Sequence, residues 1–219
     1  MTAQVRNLIV GAARIWLSAA QLTNPDDPIT GGAPVPTLVA GTKTAVTLDG
    51  DVNWADVGYT SSGLDLTYTP TYGEIQVDQL LDAARLFKQD MKVDLKTTFA
   101  EATLKNLYLV VNQSTGFSAS ADVDTAHLAV PNATSGLQLQ SGQLGDYPVE
   151  RSLIAVGPGP RNTSLSNSER IYYAYRVLSM DPSTVSAKKD APSEFSVNFR
   201  LLAVSAYSNG YGKIVDRAF

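Results

Sequence analysis

The chain has 219 residues, of which 44% are hydrophobic, and it carries a formal net charge of −4 at pH 7. This hydrophobic share is typical of globular chains and excludes disorder over most of the length. No stretch is rich in Lys or Arg, so the sequence lacks the basic patch with which proteins hold nucleic acid through its phosphates. The absence of cysteine excludes disulfides, thiolate metal sites and a cysteine nucleophile.

The length fits one domain, because all-β sandwiches and barrels often reach about 200–250 residues as one unit. A single domain over residues 1–219 is therefore expected. Residues 7–20 faintly resemble a signal peptide, but Arg14 interrupts the apolar run that such a segment requires. A first strand over residues 5–19, with a bulge at Gly11, is the favoured interpretation. No apolar run approaches the roughly 20 residues of a membrane-spanning helix.

A long loop is predicted between about residues 23 and 51. Its first part combines four prolines with paired aspartates and two adjacent glycines. Long loops in compact domains are usually functional or disordered. The residues that mark this loop are Pro25, Asp26, Asp27, Pro28, Pro34, Pro36, Asp49 and Asp51.

Residues 63–78 predict a β-hairpin. Apolar and polar residues alternate up to Tyr68, and the alternation resumes after the turn-like segment 70–73. Residues 91–97 alternate in the same way and predict a further strand. One face of each strand is expected to be buried and the other solvated. The segment 78–89 fits either a short helical turn or an irregular connection.

One helix is predicted after residue 98. Thr98 and Glu101 match a capping box, in which the two side chains satisfy free amides of the first helical turn. Leu104, Leu107, Tyr108 and Val111 follow at the spacing of one apolar stripe. The helix is expected to end near residue 112 and to lie on the sheet with its polar side outward.

The remaining chain predicts more strands and one insertion. Residues 113–150, rich in Ser, Ala, Gly, Thr and Asp, predict a loop-rich insertion with short strands. Strands are predicted over residues 151–156, 170–178, 194–201 and 211–215, with a turn at 208–210. In the second of these strands, Ile171, Tyr173, Tyr175 and Val177 are assigned to one face. The patterns together predict a mainly β domain with one flanking helix.

The sequence contains few candidates for catalytic or metal chemistry. A Ser-His-Asp triad or a histidine metal site would have to include His127, the single histidine, which is expected to be a solvated loop residue. The pairs Asp49/Asp51 and Asp122/Asp124 resemble parts of calcium loops, but neither continues into an EF-hand pattern. They are interpreted as turn-forming aspartates. We therefore expect no catalytic site, no metal site and no cofactor.

Several segments of the first half follow one another in a characteristic order. Trp54–Tyr68 has the pattern W-x-x-V-G-x-T-x-x-G leading into a hairpin, and Glu74–Gln79 has the pattern E-x-x-V-D-Q. Residues 100–107 have the pattern A-E-A-T-L-x-N-L, and Val10–Trp16 supplies a matching first strand. In this order the segments resemble the major tail tube proteins of long-tailed bacteriophages with non-contractile tails. The resemblance covers about residues 5–112 and, more loosely, the C-terminal strands, whereas residues 113–146 depart from it.

This resemblance implies a tail-tube fold and a structural function. The fold would be a β-sandwich with one flanking helix that forms hexameric rings, and the rings would stack into a tube. The implied partners are further copies of the chain, the tape-measure protein, the tail terminator and the tail-tip proteins. Genome DNA would pass through the tube without specific binding, and no membrane is involved. The chain would be assembled in the host cytoplasm and reside in the tail of the virion.

A ring also assigns roles to the predicted strand faces and to the long loop. Exposed sheet edges must be covered or paired, and joining them around a rotational ring produces a closed barrel. The polar faces of the 63–78 hairpin and the 91–97 strand would then form a mildly acidic lumen wall that repels phosphates. The loop over about residues 23–51 would reach the next ring. The predicted lumen-lining residues are Asp65, Thr67, Glu74, Gln76, Asp78, Lys92, Asp94 and Lys96.

Two alternative functions remain open from the sequence. One is the tube protein of a contractile injection or secretion system, since those proteins share the fold. The other is a β-sandwich module that binds glycans through a platform of aromatic side chains, although aromatic residues at strand spacing are more often in a core or an interface. The platform would consist of Tyr172, Tyr173, Tyr175, Tyr207 and Tyr211.

Overall fold

The computed structural model describes residues 11–24, 48, 51–76, 78, 85–111, 113, 115–141, 147–160, 167–180, 189–190 and 192–218. Within these residues the fold is mainly β with one α-helix, as the sequence predicts. The elements are β1 (Arg14–Ser18), β2 (Trp54–Asp56), β3 (Thr60–Ile75), β4 (Arg85–Phe99), α1 (Leu104–Val111), β5 (Phe117–Ser118), β6 (Gly136–Leu137), β7 (Arg151–Pro158), β8 (Ser168–Ser179), β9 (Phe195–Leu201), a 3-10 turn (Ser205–Tyr207) and β10 (Gly212–Ala218).

The main sheet is antiparallel and branches at β8. Its order is β2-β1-β7-β8-β9-β4-β3, and β10 also pairs with β8. Ser168–Ala174 of β8 pair with β10, whereas Val177–Ser179 pair with β9. The branch therefore separates a first layer, β2-β1-β7-β8-β10, from a second layer, β9-β4-β3.

The main hydrophobic core joins the two layers to the helix. The largest side chains in it are fully or almost fully buried, and burying one such side chain contributes about 1.5–3 kcal/mol. The helix adds Leu109 and Val110. The strand residues of this core include Ile15, Leu17, Val93, Leu95, Phe99, Leu153, Phe195, Val197 and Phe199.

A second core covers the opposite face of the first layer. It contains Trp16, Trp54, Ile154, Ile171 and Tyr173, together with Leu48 from the long loop. Because β1 and β7 are thus buried on both faces, their segments Ile15–Leu17 and Leu153–Val156 are continuously apolar and do not alternate.

The predicted turn at residues 70–73 is wrong. β3 continues from Thr60 to Ile75 and pairs with β4 as far as Arg85, so residues 85–89 are strand as well. Gln89 is the extra residue of a bulge opposite Thr71 and Tyr72. Pro70 and Gly73 led to the prediction of a turn, but β3 is an edge strand, and an edge strand tolerates proline. Residues 79–84, which precede β4, lie outside the described part of the chain.

The predicted start of the helix is also wrong. Thr98 and Phe99 pair with β9, and the helix begins only at Leu104. Thr103 acts at the helix start, where its Oγ1 accepts a hydrogen bond from Asn106 N at 3.1 Å. Long-range strand pairing therefore overrides the local capping pattern.

The buried side of the helix also differs from the predicted stripe. Asn106, Leu109 and Val110 are buried, whereas Leu104 is 39% exposed. The amide Nδ2 of Asn106 donates to Val57 O at 2.8 Å and to Glu101 O at 2.9 Å. A polar side chain thus anchors the helix to the sheet, which an apolar periodicity cannot reveal.

Three strand predictions need smaller corrections. β1 begins at Arg14, and Gly11 precedes it without forming a bulge in the strand; residues 5–10 lie outside the described residues. Val177 packs in the main core, whereas Ile171 and Tyr173 pack in the second core, because an irregularity opposite Arg151 shifts the alternation of β8. The final strand extends further than predicted, to Ala218.

The predicted turn at residues 208–210 is confirmed. Ser208 and Asn209 adopt the left-handed conformation, with φ of 55° and 58°. Gly210 N then donates to Tyr207 O at 2.9 Å, and β10 follows.

Candidate assembly surfaces

The polar sides of β3, β4 and β9 form one continuous surface, here called the polar sheet face. Cross-strand register places Asp65 opposite Lys96, Thr67 opposite Asp94, and Thr69 opposite Lys92. β9 extends the surface, because Arg200 lies opposite Asp94 and Asn198 lies opposite Lys96. The structure therefore brings together five predicted lumen residues: Asp65, Thr67, Lys92, Asp94 and Lys96.

The charges of the polar sheet face balance one another. Asp94 Oδ1 lies 3.8 Å from Arg200 Nη1, and Asp65 faces Lys96 across the ladder. Opposite charges at such cross-strand positions contribute roughly 0.2–1 kcal/mol each. The expected acidic character is therefore wrong for this surface, because Lys92, Lys96 and Arg200 offset the three aspartates Asp65, Asp90 and Asp94. Because positive and negative side chains alternate, this described surface has no extended basic area that would hold a phosphate backbone.

The other three predicted lumen residues do not belong to this surface. Because β3 continues without a turn, strand alternation places Glu74 on the side of Tyr68 and Tyr72, opposite to Asp65. Gln76 follows the end of β3, and Asp78 lies in a turn; both are exposed. The predicted grouping depended on the turn that the structure lacks.

β3 presents a long free edge. It spans 16 residues, pairs with β4 on its inner side, and has no other described strand on its outer side. Free edges expose unpaired backbone N–H and C=O groups, which template pairing with a second chain. Asp65 and Glu74 are the only charged residues in this strand, so its edge has little of the charge that usually discourages such pairing.

The distal end of the β3–β4 hairpin is an exposed two-stranded ribbon. Its end, residues 72–75 with 85–88, is here called the ribbon tip. Four large apolar side chains of the tip are roughly half exposed, and they are Tyr72 (57%), Ile75 (47%), Leu86 (58%) and Phe87 (46%). Clustered apolar exposure of this kind marks an interaction surface. Leu86 and Phe87 could not be recognised from the sequence, because they fall in the segment 78–89 that fits either a helical turn or an irregular connection.

A groove of about 390 Å³ opens where the sheet branches, and it is here called the β8–β10 groove. Tyr211 bridges the two layers at this place, since its hydroxyl donates to Met91 O at 3.1 Å. Tyr68 and Ile214 remain 53% and 49% exposed in its walls. The groove is lined by Leu66, Tyr68, Leu95, Tyr172, Tyr173, Ala174, Leu201, Tyr211, Gly212, Lys213 and Ile214.

The five tyrosines proposed as a glycan platform pack in different surroundings, although Tyr172, Tyr173 and Tyr211 all line the β8–β10 groove. Tyr173 is buried in the second core, where its ring meets the ring of Tyr175 edge to face at 5.1 Å. Tyr207 packs on Tyr175 at 4.8 Å. Tyr172 and Tyr211 pack instead against the main core. They do not form one exposed platform.

The insertion over residues 113–150 places its polar residues in turns. His127 has a side chain 82% exposed, and its Nδ1 lies 2.7 Å from Asp124 Oδ1. Asp122 accepts hydrogen bonds from the backbone N–H groups of Val130 at 2.8 Å and Asp124 at 3.4 Å. These bonds lower the pKa of Asp122 below its usual value of 3.8. Among the described residues, no group of three or more metal-ligating side chains is placed to hold a metal ion.

Most of the predicted inter-ring loop lies outside the described residues. This applies to Pro25, Asp26, Asp27, Pro28, Pro34, Pro36 and Asp49. Asp51 is described, and its carboxylate accepts a hydrogen bond from Asn53 N at 2.8 Å. This geometry is a turn immediately before β2.

Comparisons with protein families and with curated proteins identify no relative of this chain. No protein-family model matches the chain, and no curated protein matches it significantly. Among the described residues, no helix is both long and apolar enough to cross a membrane.

Proposed function

We propose that this chain is the structural subunit of a bacteriophage tail tube of the long, non-contractile type. Copies of the chain would join into rings, and the rings would stack around the tape-measure protein. The tube would later conduct the genome into the host. The order of the sequence segments from Trp54 to Leu107 suggests this function. The 16-residue free edge of β3 is the structural observation that supports it best.

The free edge supports self-assembly for a physical reason. A long strand with unpaired backbone groups gains hydrogen bonds and buries apolar side chains when it joins a second sheet. If the edge joins a different surface on the next copy, the contact is head-to-tail, and it closes into a ring when the rotation permits. The polar sheet face, bordered by this edge, would then become the inner wall of the ring.

The balanced charges of that face suit a conduit. DNA binds proteins mainly by exchanging counterions for Lys and Arg side chains. On the polar sheet face, Asp65 and Asp94 accompany the cations at cross-strand distance. DNA would therefore pass without being retained.

Mass measurement tests this function. Light scattering of the purified chain over a concentration series, alone and with tail-tip and tape-measure proteins, should show assemblies many times the 23.4 kDa of one chain. A monomer under all these conditions would refute the proposal. A gene for a contractile sheath beside the gene for this chain would instead assign the tube to a contractile machine.

A further inference from the structure

β10 is only weakly embedded in the first layer. Among the described strands it pairs with β8 alone, over the seven residues Gly212–Ala218. Its first five residues are exposed, and none of its side chains belongs to the main core or to the second core. β9 differs, because Phe195, Val197, Phe199 and Leu201 are all buried. β10 therefore depends on its backbone pairing with β8 and on a few polar contacts.

Two ion pairs hold the far end of β10. Arg170 donates from Nε and Nη2 to the Asp216 carboxylate, and the distance from Nη2 to Oδ2 is 2.7 Å. Arg217 Nη1 lies 3.2 Å from Glu169 Oε1. Because neighbouring residues of a strand point to opposite faces of the sheet, the two ion pairs clasp β10 from both faces.

The near end of β10 is anchored by Tyr211. Its hydroxyl donates to Met91 O at 3.1 Å, and its backbone O accepts a hydrogen bond from Tyr175 N at 3.1 Å. The Tyr211 side chain also packs against the main core. An opening of β10 would therefore begin at residues 216–218 and end at Tyr211.

β8 keeps its place when β10 leaves it. Residues 169–174 of β8 pair on their other side with β7. Departure of β10 would thus free the edge of β8 over residues 168–174 and leave the strand itself in the sheet. The β8–β10 groove would lose the wall that Gly212, Lys213 and Ile214 form.

We propose that β10 is a strap that opens from β8 as one unit while the rest of the fold stays intact. Opening releases the two ion pairs, uncovers the apolar groove and gives the chain a second free strand edge besides that of β3. This opening is a property of the single chain and does not depend on the proposed function.

Gly212 offers a substitution that should force the strap open. A Cβ at this position would lie 2.2 Å from Tyr173 O and 3.0 Å from Ala174 Cα, both of which are backbone atoms of β8. Because β7 holds that backbone in place, Gly212→Ala is incompatible with the closed strap. The matched control is Gly157→Ala in β7, where a Cβ would make an ordinary contact of 3.5 Å with Ala13 Cβ.

Hydrogen exchange followed by mass spectrometry measures the opening. In the wild-type chain, residues 212–218 should exchange at least about a hundredfold faster than residues 195–201, because a local opening costs less than global unfolding. Gly212→Ala should raise the exchange rate of residues 212–218 by at least about a further tenfold, since an overpacked contact favours the open strand. Gly157→Ala should leave that rate unchanged, and residues 195–201 should keep their wild-type protection in both variants.

Two further readouts test the clasp and the groove. Asp216→Asn should raise the exchange rate of residues 212–218 by about twofold to fivefold, as expected for the loss of one partly solvated ion pair. Asp190→Asn, at an exposed position outside the sheet, should not change it. Gly212→Ala should also increase the fluorescence of anilinonaphthalene sulfonate, which binds exposed apolar surface.

The opposite results would overturn the strap. Equal protection of residues 212–218 and 195–201 in the wild-type chain would show that β10 unfolds only with the whole fold. Loss of protection over residues 195–201 in Gly212→Ala would make β10 part of the cooperative core. Unchanged dye fluorescence in Gly212→Ala would show that the groove stays covered.

Discussion

Asp65 and Lys96 face each other across the β3–β4 ladder, at the middle of the polar sheet face. This register places a carboxylate of the edge strand beside a cation of the next strand. Because Asp94 and Arg200 repeat the arrangement one strand further in, both Asp65 and Asp94 lie opposite a basic side chain, whereas Asp90 lies opposite Thr71. The function proposed for this face depends on that balance.

Replacing Asp65 by lysine should impair DNA passage without preventing assembly. The change places a second ammonium group opposite Lys96 and makes the face basic, so DNA phosphates would be retained. Assembled particles with Asp65→Lys should eject their genome more slowly, and the delay should shrink as salt rises. Ejection followed by dye binding to released DNA measures the effect.

The control for this experiment is Asp190→Lys, which makes the same charge change at an exposed position outside the three strands that form the polar sheet face. This variant should eject at the wild-type rate. Equal ejection rates for Asp65→Lys and wild type would place the polar sheet face outside the lumen.

Gly58 and Gly63 form a matched pair for testing the contact between β2 and the segment before the helix. Both have positive φ, 77° and 74°, so alanine strains the backbone at either position. A Cβ at Gly63 meets nothing within 4 Å, whereas a Cβ at Gly58 would collide with the Glu101 carboxylate. That carboxylate accepts a hydrogen bond from Tyr59 N at 3.1 Å and would have to leave it.

We therefore expect Gly63→Ala to lower the free energy of unfolding by about 1 kcal/mol, and Gly58→Ala to lower it by about 1 kcal/mol more. Urea denaturation of both variants measures the difference. Equal losses would show that the Glu101–Tyr59 hydrogen bond contributes nothing to stability.

Arg151 is a buried cation that holds backbone carbonyls. It is 3% exposed, and its Nη1 donates to Ser18 O and Ala19 O, each at 2.9 Å. Its guanidinium lies over the Tyr108 ring at 5.3 Å, and burial lowers the pKa of Arg151. It therefore ties the end of β1 to the helix.

Arg151→Ala should lower the free energy of unfolding by about 2–4 kcal/mol, because buried carbonyls lose their donor. Arg200→Ala is the control and should cost less than about 1 kcal/mol, since its ion pair with Asp94 is long and partly solvated. A small loss for Arg151→Ala, equal to that of Arg200→Ala, would contradict the anchoring role. Denaturation midpoints in urea compare the two variants.

The turn held by Asp122 should weaken in acid. Backbone hydrogen bonds lower the pKa of this carboxylate below 3.8, so the ionised form is favoured in the folded turn. The stabilisation is present above about pH 4 and is lost as the pH falls through the lowered pKa. The protection of the Val130 amide against hydrogen exchange should decrease over this range.

Asp122→Asn removes the titrating group while keeping a similar side chain. Its Val130 protection should be low near neutral pH and should not fall further in acid. Acid-insensitive protection of Val130 in the wild-type chain would show that Asp122 does not control the turn.

Local patterns predicted those parts of the fold whose side chains alternate about a single buried face. The best case is β9, where Phe195, Val197 and Phe199 are buried and the residues between them are not. The polar sheet face followed from the same alternation in β4 and in the first half of β3. An alternation with a period of two residues predicts a strand reliably where one face of the strand packs and the other is solvated.

Prediction failed where distant residues decide the local conformation. Pro70 and Gly73 resemble a turn, but continuous pairing with β4 keeps them extended, and the Phe87 ring lies over Gly73. Thr98 has the sequence of a helix cap, but pairing with Ser196 keeps it in a strand. The groove also escaped prediction, because it arises where β8 changes partners and has no signature in any one segment.

Electron microscopy of the assembled chain shows whether it forms a hollow conduit. Purified protein, with tail-tip and tape-measure proteins added as initiators, is negatively stained and imaged beside a sample of the chain alone. A tail tube subunit should form rings or hollow tubes of uniform diameter with a stain-filled central channel. A field of separate monomers in both samples, or solid filaments without a channel, would contradict the proposed function.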